Sequence, residues 1–147
     1  MPETIAVILV DHGSRREDSN RMLEMMARLY ADTSGREIVE PAHMDLASPT
    51  IADAFRRCVD RGADVVVIHP YFLLPGRHWH EDIPRIAKEA AAGFPGVRWL
   101  VTAPLAVHPA IADVIEARVS HCLACAAGAA DPCEICGDGA ACRFRGA

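Results

Sequence analysis

The chain has 147 residues, of which 51% are hydrophobic and 24% charged, and its formal net charge is −5. This length and composition are typical of one globular domain with a proper core. The acidic balance argues against a nucleic-acid partner, and the absence of a long apolar run argues against a transmembrane helix.

Strand-like and helix-like segments alternate along the chain. Four apolar segments rich in β-branched residues predict buried strands. They cover Thr4–Val10, Glu37–Met44, Asp64–Phe72 and Val97–Ala103. Apolar residues at helical spacing follow each of them, so the predicted order is β-α-β-α-β-α-β-α. This order predicts an α/β fold: a single flavodoxin-like domain with a four-stranded parallel sheet flanked by helices.

Capping residues and prolines mark the start of each predicted helix. Asp18 or Ser19 can cap the first helix, and Ser48-Pro49 supplies a hydroxyl and a proline for the second. Pro84 fits the first turn of the third helix, and His108-Pro109 begins the fourth. We expect the fourth helix to bury Ile111, Val114, Ile115 and Val119. Periodicity is lost from Ala124, so the predicted domain covers residues 1–123 and an irregular cysteine-rich tail covers 124–147.

Two histidine-containing loops follow strands of this predicted sheet. His12 lies directly after the first strand, and His78 follows the third strand in a loop shaped by Pro75-Gly76. Ligands of open parallel sheets bind at the carboxyl ends of the strands. Neutral imidazoles bind iron, cobalt, nickel and zinc, and two histidines are too few for a closed structural zinc site. The pair therefore predicts an open, transient metal site.

Arginines and carboxylates accompany the two histidines. Arg15 and Arg77 could clamp carboxylates of an acidic ligand. Asp45, Glu81 or Asp82 could orient the second ring nitrogen of a metal-binding histidine. His43, which lies at the same edge, and His69, which we expect to be a satisfied core histidine, are weaker candidates.

The tail contains five of the six cysteines, at positions 122, 125, 133, 136 and 142. Two Cys-x-x-Cys pairs separated by a short loop predict a metal or iron–sulfur site rather than a disulfide framework. The spacing does not distinguish zinc from a cluster, and it offers five candidates for four ligand positions.

Three segments resemble the short class II tetrapyrrole chelatases of the sirohydrochlorin chelatase family. They are His12-Gly13-Ser14-Arg15, the stretch Val39–Pro49 that contains Glu40-Pro41-Ala42-His43-Met44, and Phe72–Pro84 with Pro75-Gly76-Arg77-His78. The similarity extends from Ile5 to Cys142 and is greatest to the plant and algal plastid ferrochelatases.

The resemblance implies insertion of ferrous iron into sirohydrochlorin by a homodimer, with no nucleic-acid or membrane partner. It implies that His12 and His78 bind the metal. Metallation releases two pyrrole protons, and a neutral histidine can accept a proton near pH 7. We expect Ser14, Arg15, Arg77 and Asp45 to contact the substrate.

The resemblance also implies a [2Fe–2S] cluster held by Cys122, Cys133, Cys136 and Cys142, with Cys125 as an alternative ligand. It implies a plastid stromal location for the mature protein. The chain itself starts almost directly with a strand, so the residues alone predict no signal or transit peptide and are equally compatible with a cytoplasmic protein.

Three other functions are compatible with parts of the sequence. Cobalt or nickel insertion could use the same site, because imidazole ligands do not discriminate sharply between these ions. A non-enzymatic iron–sulfur or metal-carrier protein would need the cysteine tail but not the two histidines. A flavin-binding module would need a phosphate loop richer in glycine and hydroxyl groups than His12–Arg16.

Overall fold

A computed structural model describes residues 2–136 and contains a four-stranded parallel sheet. The strands are β1 (Ile5–Asp11), β2 (Ile38–His43), β3 (Val65–Pro70) and β4 (Arg98–Val101), and the helices are α1 (Glu17–Ser34), α2 (Ile51–Asp60), α3 (Ile83–Ala91) and α4 (Pro109–Ala126). One π-helical turn, His78–Asp82, precedes α3. The predicted α/β order and the parallel sheet are confirmed.

The strand order is β2-β1-β3-β4, so the chain reverses its direction of winding between β1 and β3. Alternate residues of β1 face opposite sides of the sheet, as the period of a strand requires. Ile8 packs with Phe55 of α2 and Ile83 of α3 on one face, while Leu9 packs with Leu23 of α1 on the other. The crevice beside the β1 and β3 carboxyl ends is therefore the expected ligand position.

The starts of two helices differ from the prediction. The helix predicted to begin at Ser48-Pro49 begins at Ile51, because Thr50 and Asp53 form a reciprocal capping box. Helix α1 begins before the predicted caps Asp18 and Ser19, and Arg16 at its N-cap makes no side-chain capping bond. The predicted starts of α3 and α4 are correct: Pro84 lies in the first turn of α3, and the His108 side chain accepts a hydrogen bond from the Ala110 N–H.

Pro41 lies within β2. Because β2 is an edge strand, a missing N–H on its outer side removes no hydrogen bond of the sheet.

Helix α4 does not bury the residues assigned to its core-facing side. Val114, Ile115 and Val119 are exposed by about half, and Ile111 is partly exposed. Helical spacing identifies an apolar face but does not determine what covers it.

The described residues form two compact units, 2–106 and 107–136. Helix α4 continues three residues past the predicted boundary at 123, and a separate tail of residues 124–147 stays a prediction. No helix within residues 2–136 combines the length and apolar content needed to cross a membrane.

Candidate active site

His12 and His78 lie together at the β1–β3 switch point. Their ring centroids are 4.9 Å apart and their planes are nearly perpendicular, at 77°. The two residues are 66 positions apart in sequence, and only the parallel pairing of β1 with β3 brings their loops together. Both side chains face the same open cleft of about 440 Å³, which Phe72, Leu74 and Trp79 also line. The predicted pairing of the two histidines is present in the structure.

The Phe72 ring packs against the His12 ring. The two rings are stacked with centroids 4.2 Å apart and an angle of 13° between their planes. Phe72 is 8% exposed, so it is a fixed apolar surface that limits how the imidazole can rotate. Phe72 belongs to the motif that carries the family resemblance, but its stacking role has no local sequence signal.

Burial, and secondarily the neighbouring His78, lowers the pKa of His12, while Asp11 acts in the opposite direction. Burial disfavours the charged ring, and a second imidazolium nearby would repel it. Both causes favour the neutral form that can bind a metal ion.

Asp82 orients the second histidine. Its Oδ2 lies 2.7 Å from Nδ1 of His78, one helical turn earlier. With Nδ1 donating to the carboxylate, Nε2 of His78 carries the free lone pair. Of the three carboxylates considered from the sequence, Asp82 is the one hydrogen-bonded to His78, while Glu81 pairs with Arg77 at 3.3 Å.

The remaining predicted substrate residues lie around the two loops. Ser14 is held by reciprocal hydrogen bonds with Asn20, and its Oγ accepts from the Arg16 N–H at 3.0 Å. Asp45 is exposed and accepts from the Leu46 N–H. Arg15 and Arg77 are exposed at the same edge of the sheet, with the reach and charge to meet carboxylates in solution.

Two further hydrogen bonds involve Thr102, the residue that follows β4. The Trp79 indole N–H donates to the Thr102 carbonyl at 2.8 Å, which ties the His78 turn to the end of β4. The Thr102 hydroxyl lies 2.8 Å from Nδ1 of His69, so His69 is a hydrogen-bonded, partly buried histidine, as expected. Burial lowers the pKa of His69.

The cysteines of the second unit differ in exposure. Cys122 is exposed on α4, Cys125 is buried, and Cys133 and Cys136 are partly exposed; Cys142 lies outside the described residues. Backbone N–H groups of Cys136 and Ile135 lower the pKa of the Cys133 thiol, which favours its thiolate. Within residues 2–136, no three His, Cys, Asp or Glu side chains are close enough to hold a metal ion.

Comparisons with known proteins agree with the fold and the motifs. The CbiX family model matches residues 6–122. The chain is 52% identical over 130 residues to a chloroplastic sirohydrochlorin ferrochelatase of Arabidopsis thaliana, covering 88% of this chain and 58% of that protein. It is 37% identical over 82 residues to a sirohydrochlorin cobaltochelatase of Methanopyrus kandleri, covering 56% of this chain and 57% of the relative. The chain thus spans less than two thirds of the length of either relative.

Solved structures give the same assignment. SirB from Bacillus subtilis with Fe3+ superposes with a TM-score of 0.73 at 25% identity, covering 78% of this chain and 46% of that one. A putative cobalamin biosynthesis CbiX protein from Marinobacter aquaeolei superposes with a TM-score of 0.61 at 28% identity, covering 79% of this chain and 98% of its own. With its parallel sheet, its paired loop histidines and a family match over most of its length, the chain belongs to the CbiX family.

Proposed function

We propose that this protein is a sirohydrochlorin ferrochelatase that inserts Fe2+ into sirohydrochlorin to form sirohaem. The observation that carries the proposal is the His12–His78 pair, 4.9 Å apart between ring centroids, in an open cleft. Two neutral imidazoles bind a borderline metal ion, yet leave it enough open coordination to be transferred to a second ligand. The similarity to the Arabidopsis ferrochelatase supports iron as the metal.

The proposed reaction has two requirements that the site can meet. The metal must lose its protein ligands as the macrocycle nitrogens replace them, and the two pyrrole N–H protons must be accepted by a base. The lowered pKa of His12 favours its neutral ring, and the hydrogen bond to Asp82 leaves Nε2 of His78 as the free nitrogen. Arg15, Arg77, Ser14 and Asp45 then hold the polar periphery of the macrocycle, while Phe72 and Trp79 provide apolar surface.

Anaerobic insertion of Fe2+ into sirohydrochlorin, followed by absorbance, tests this proposal in the wild type and in His12→Ala and His78→Ala. Each substitution should reduce the rate by about a hundredfold or more, the size of a lost proton-accepting or ligating group. His80→Ala is the matched control, because His80 is an exposed histidine of the same turn and does not line the cleft. Full activity in both histidine variants would refute the assignment.

Cobalt insertion is the second candidate, because relatives such as the Methanopyrus protein are cobaltochelatases and imidazole ligands accept both ions. Rates with Fe2+, Co2+ and Ni2+ under identical anaerobic conditions decide between them. A kcat/KM that is higher for Co2+ than for Fe2+ would make cobalt the preferred substrate. A metal-carrier function would instead leave all three insertion rates at the uncatalysed level.

We also propose that Cys122, Cys133, Cys136 and Cys142 hold a [2Fe–2S] cluster, with Cys125 as the alternative ligand. The two Cys-x-x-Cys spacings and the lowered pKa of the Cys133 thiol support thiolate ligation. The described cysteines alone do not assemble a complete ligand set. Metal insertion is not a redox step, so no step of it is assigned to the cluster, and the proposed role of the cluster is regulatory.

Iron and sulfide analysis of anaerobically purified protein, with absorbance and electron paramagnetic resonance, tests for the cluster. A variant in which all five tail cysteines are replaced should lose the cluster and keep ferrochelatase activity. If the variant that lacks all five tail cysteines folds but has no ferrochelatase activity, the regulatory role is contradicted.

A homodimer and a plastid location complete the proposal. The half-exposed apolar face of α4, which includes Val114, Ile115 and Val119, favours association. Light scattering after size-exclusion chromatography should give twice the mass of the chain.

The Arabidopsis relative is described as chloroplastic, and cell fractionation with organelle markers tests whether this protein shares that location.

A further inference from the structure

A buried histidine lies directly beneath the His12 loop. His43, the last residue of β2, is completely buried, and its Nδ1 lies 2.6 Å from Oδ1 of Asp11. Asp11 is the last residue of β1 and immediately precedes His12. The same carboxylate oxygen accepts the Gly13 N–H at 2.9 Å. This one oxygen atom thus links the end of β2 to the residues immediately before and after His12.

Backbone hydrogen bonds from the segment after β2 also hold the His12 loop. The Asp45 N–H donates to the His12 carbonyl at 3.0 Å, and the Met44 N–H donates to the Asp11 carbonyl at 2.8 Å. Gly13 has a φ of +85° and packs so closely that an added β-carbon would be 3.2 Å from the His43 β-carbon. His12 is therefore carried by a short loop whose path depends on the residues after β2.

The His43 ring has one defined hydrogen-bonding role. With Nδ1 donating to a carboxylate, the neutral ring carries no proton on Nε2, and that atom has no partner among the described residues. A buried acceptor nitrogen without a donor lowers the stability of the fold relative to an apolar group of the same shape, because its lost hydration is not replaced. A leucine would fill this space without that defect, so packing alone does not explain a histidine here.

We infer that the Asp11–His43 pair positions His12 for metal binding. This inference rests on the proposed function of His12 as a metal ligand. The pair does not touch the metal or the substrate: it holds the backbone at Asp11 and Gly13, and the Phe72 ring then sets the plane of the His12 imidazole. Hydrogen-bond partners outside the ligand shell orient metal ligands in this manner.

Two substitutions of His43 separate positioning from packing. His43→Leu removes the hydrogen bond to Asp11, whereas His43→Asn retains a donor close to the position of Nδ1. In His43→Leu, Co2+ affinity, measured by absorbance titration, and kcat for Fe2+ insertion should each fall by about ten- to hundredfold. The KM for sirohydrochlorin should stay within about twofold of the wild type, because no substrate contact is lost. His43→Asn should recover most of both losses.

Asp11→Ala tests the same interaction without replacing a fully buried side chain, because the Asp11 side chain is 24% exposed. It should weaken Co2+ binding and kcat at least as much as His43→Leu does, because Asp11 also accepts the Gly13 N–H. The double variant should be no more impaired than Asp11→Ala. If His43→Leu does not fold, Asp11→Ala alone decides the question. Unchanged Co2+ affinity and kcat in either folded variant would overturn the inference, as would equal losses in His43→Leu and His43→Asn.

The wild-type measurements distinguish this inference from the proposed function. If the wild type binds Co2+ but inserts no metal, and His43→Leu weakens binding, the proposed function fails and the positioning role stands. If the wild type is active and His43→Leu is equally active, the positioning role fails and the proposed function stands. A wild type that neither binds Co2+ nor inserts iron refutes both.

Discussion

Replacement of Gly13 by alanine should greatly slow metal insertion through backbone displacement alone. Gly13 has a φ of +85°, and a β-carbon there would overlap the Asp45 carbonyl oxygen and lie 3.0 Å from the carbonyl carbon. The left-handed conformation itself costs about 1–2 kcal/mol for a residue with a β-carbon. Relief of the overlap requires the His12 loop and the segment after β2 to separate by about 1 Å, and a shift of that size can reduce a rate by about a hundredfold.

Gly62→Ala is the matched control for this experiment. Gly62 has a φ of +91° and nothing within 4 Å of an added β-carbon, so it shares the conformational cost without the overlap. Urea denaturation measures the free energy of unfolding of both variants, and anaerobic Fe2+ insertion measures their activity. Gly62→Ala should lose about 1–2 kcal/mol of stability and keep its activity. Insertion by Gly13→Ala at the rate of Gly62→Ala would refute the reasoning.

Three further predictions follow from single interactions in the structure. Asp82→Ala should reduce insertion by about ten- to hundredfold through loss of the His78 hydrogen bond, whereas Glu89→Ala, which removes a solvent-exposed ion pair on α3, should not; equal rates in both variants would exclude the orienting role. Because the pKa of His12 is lowered in the folded protein, the unfolded chain binds more protons just below about pH 6.5, and the stability contributed by His12 should rise with pH through that window. Urea titrations of wild type and His12→Ala should differ in this slope, and identical slopes would contradict it. Burial raises the pKa of the Cys58 thiol to about 12, so iodoacetamide at pH 8 should label Cys58 only after unfolding, as mass spectrometry would show; rapid labelling of the native protein would contradict its burial.

Local features of the sequence were sufficient to predict most of the fold. The alternation of β-branched runs with helical spacing determines the β-α order, because both patterns depend on neighbouring residues. His12 and His78 could be assigned to one edge of the sheet for the same reason: each follows a parallel strand at its carboxyl end. The starts of α3 and α4 were predicted correctly from Pro84 and Pro109, whereas the start of α2 was missed despite Pro49, because the capping box between Thr50 and Asp53 sets it.

The long-range contacts required the tertiary structure. His43 and Asp11 are 32 positions apart, and their hydrogen bond exists only because β2 pairs with β1. The exposure of Val114 on α4 is equally invisible in the sequence, because an apolar helical face looks the same whether or not it is covered. The sequence by itself therefore determined which side chains could do chemistry and at which edge of the sheet. The tertiary structure decided how those side chains are held, because strand order and packing join residues that local patterns cannot relate.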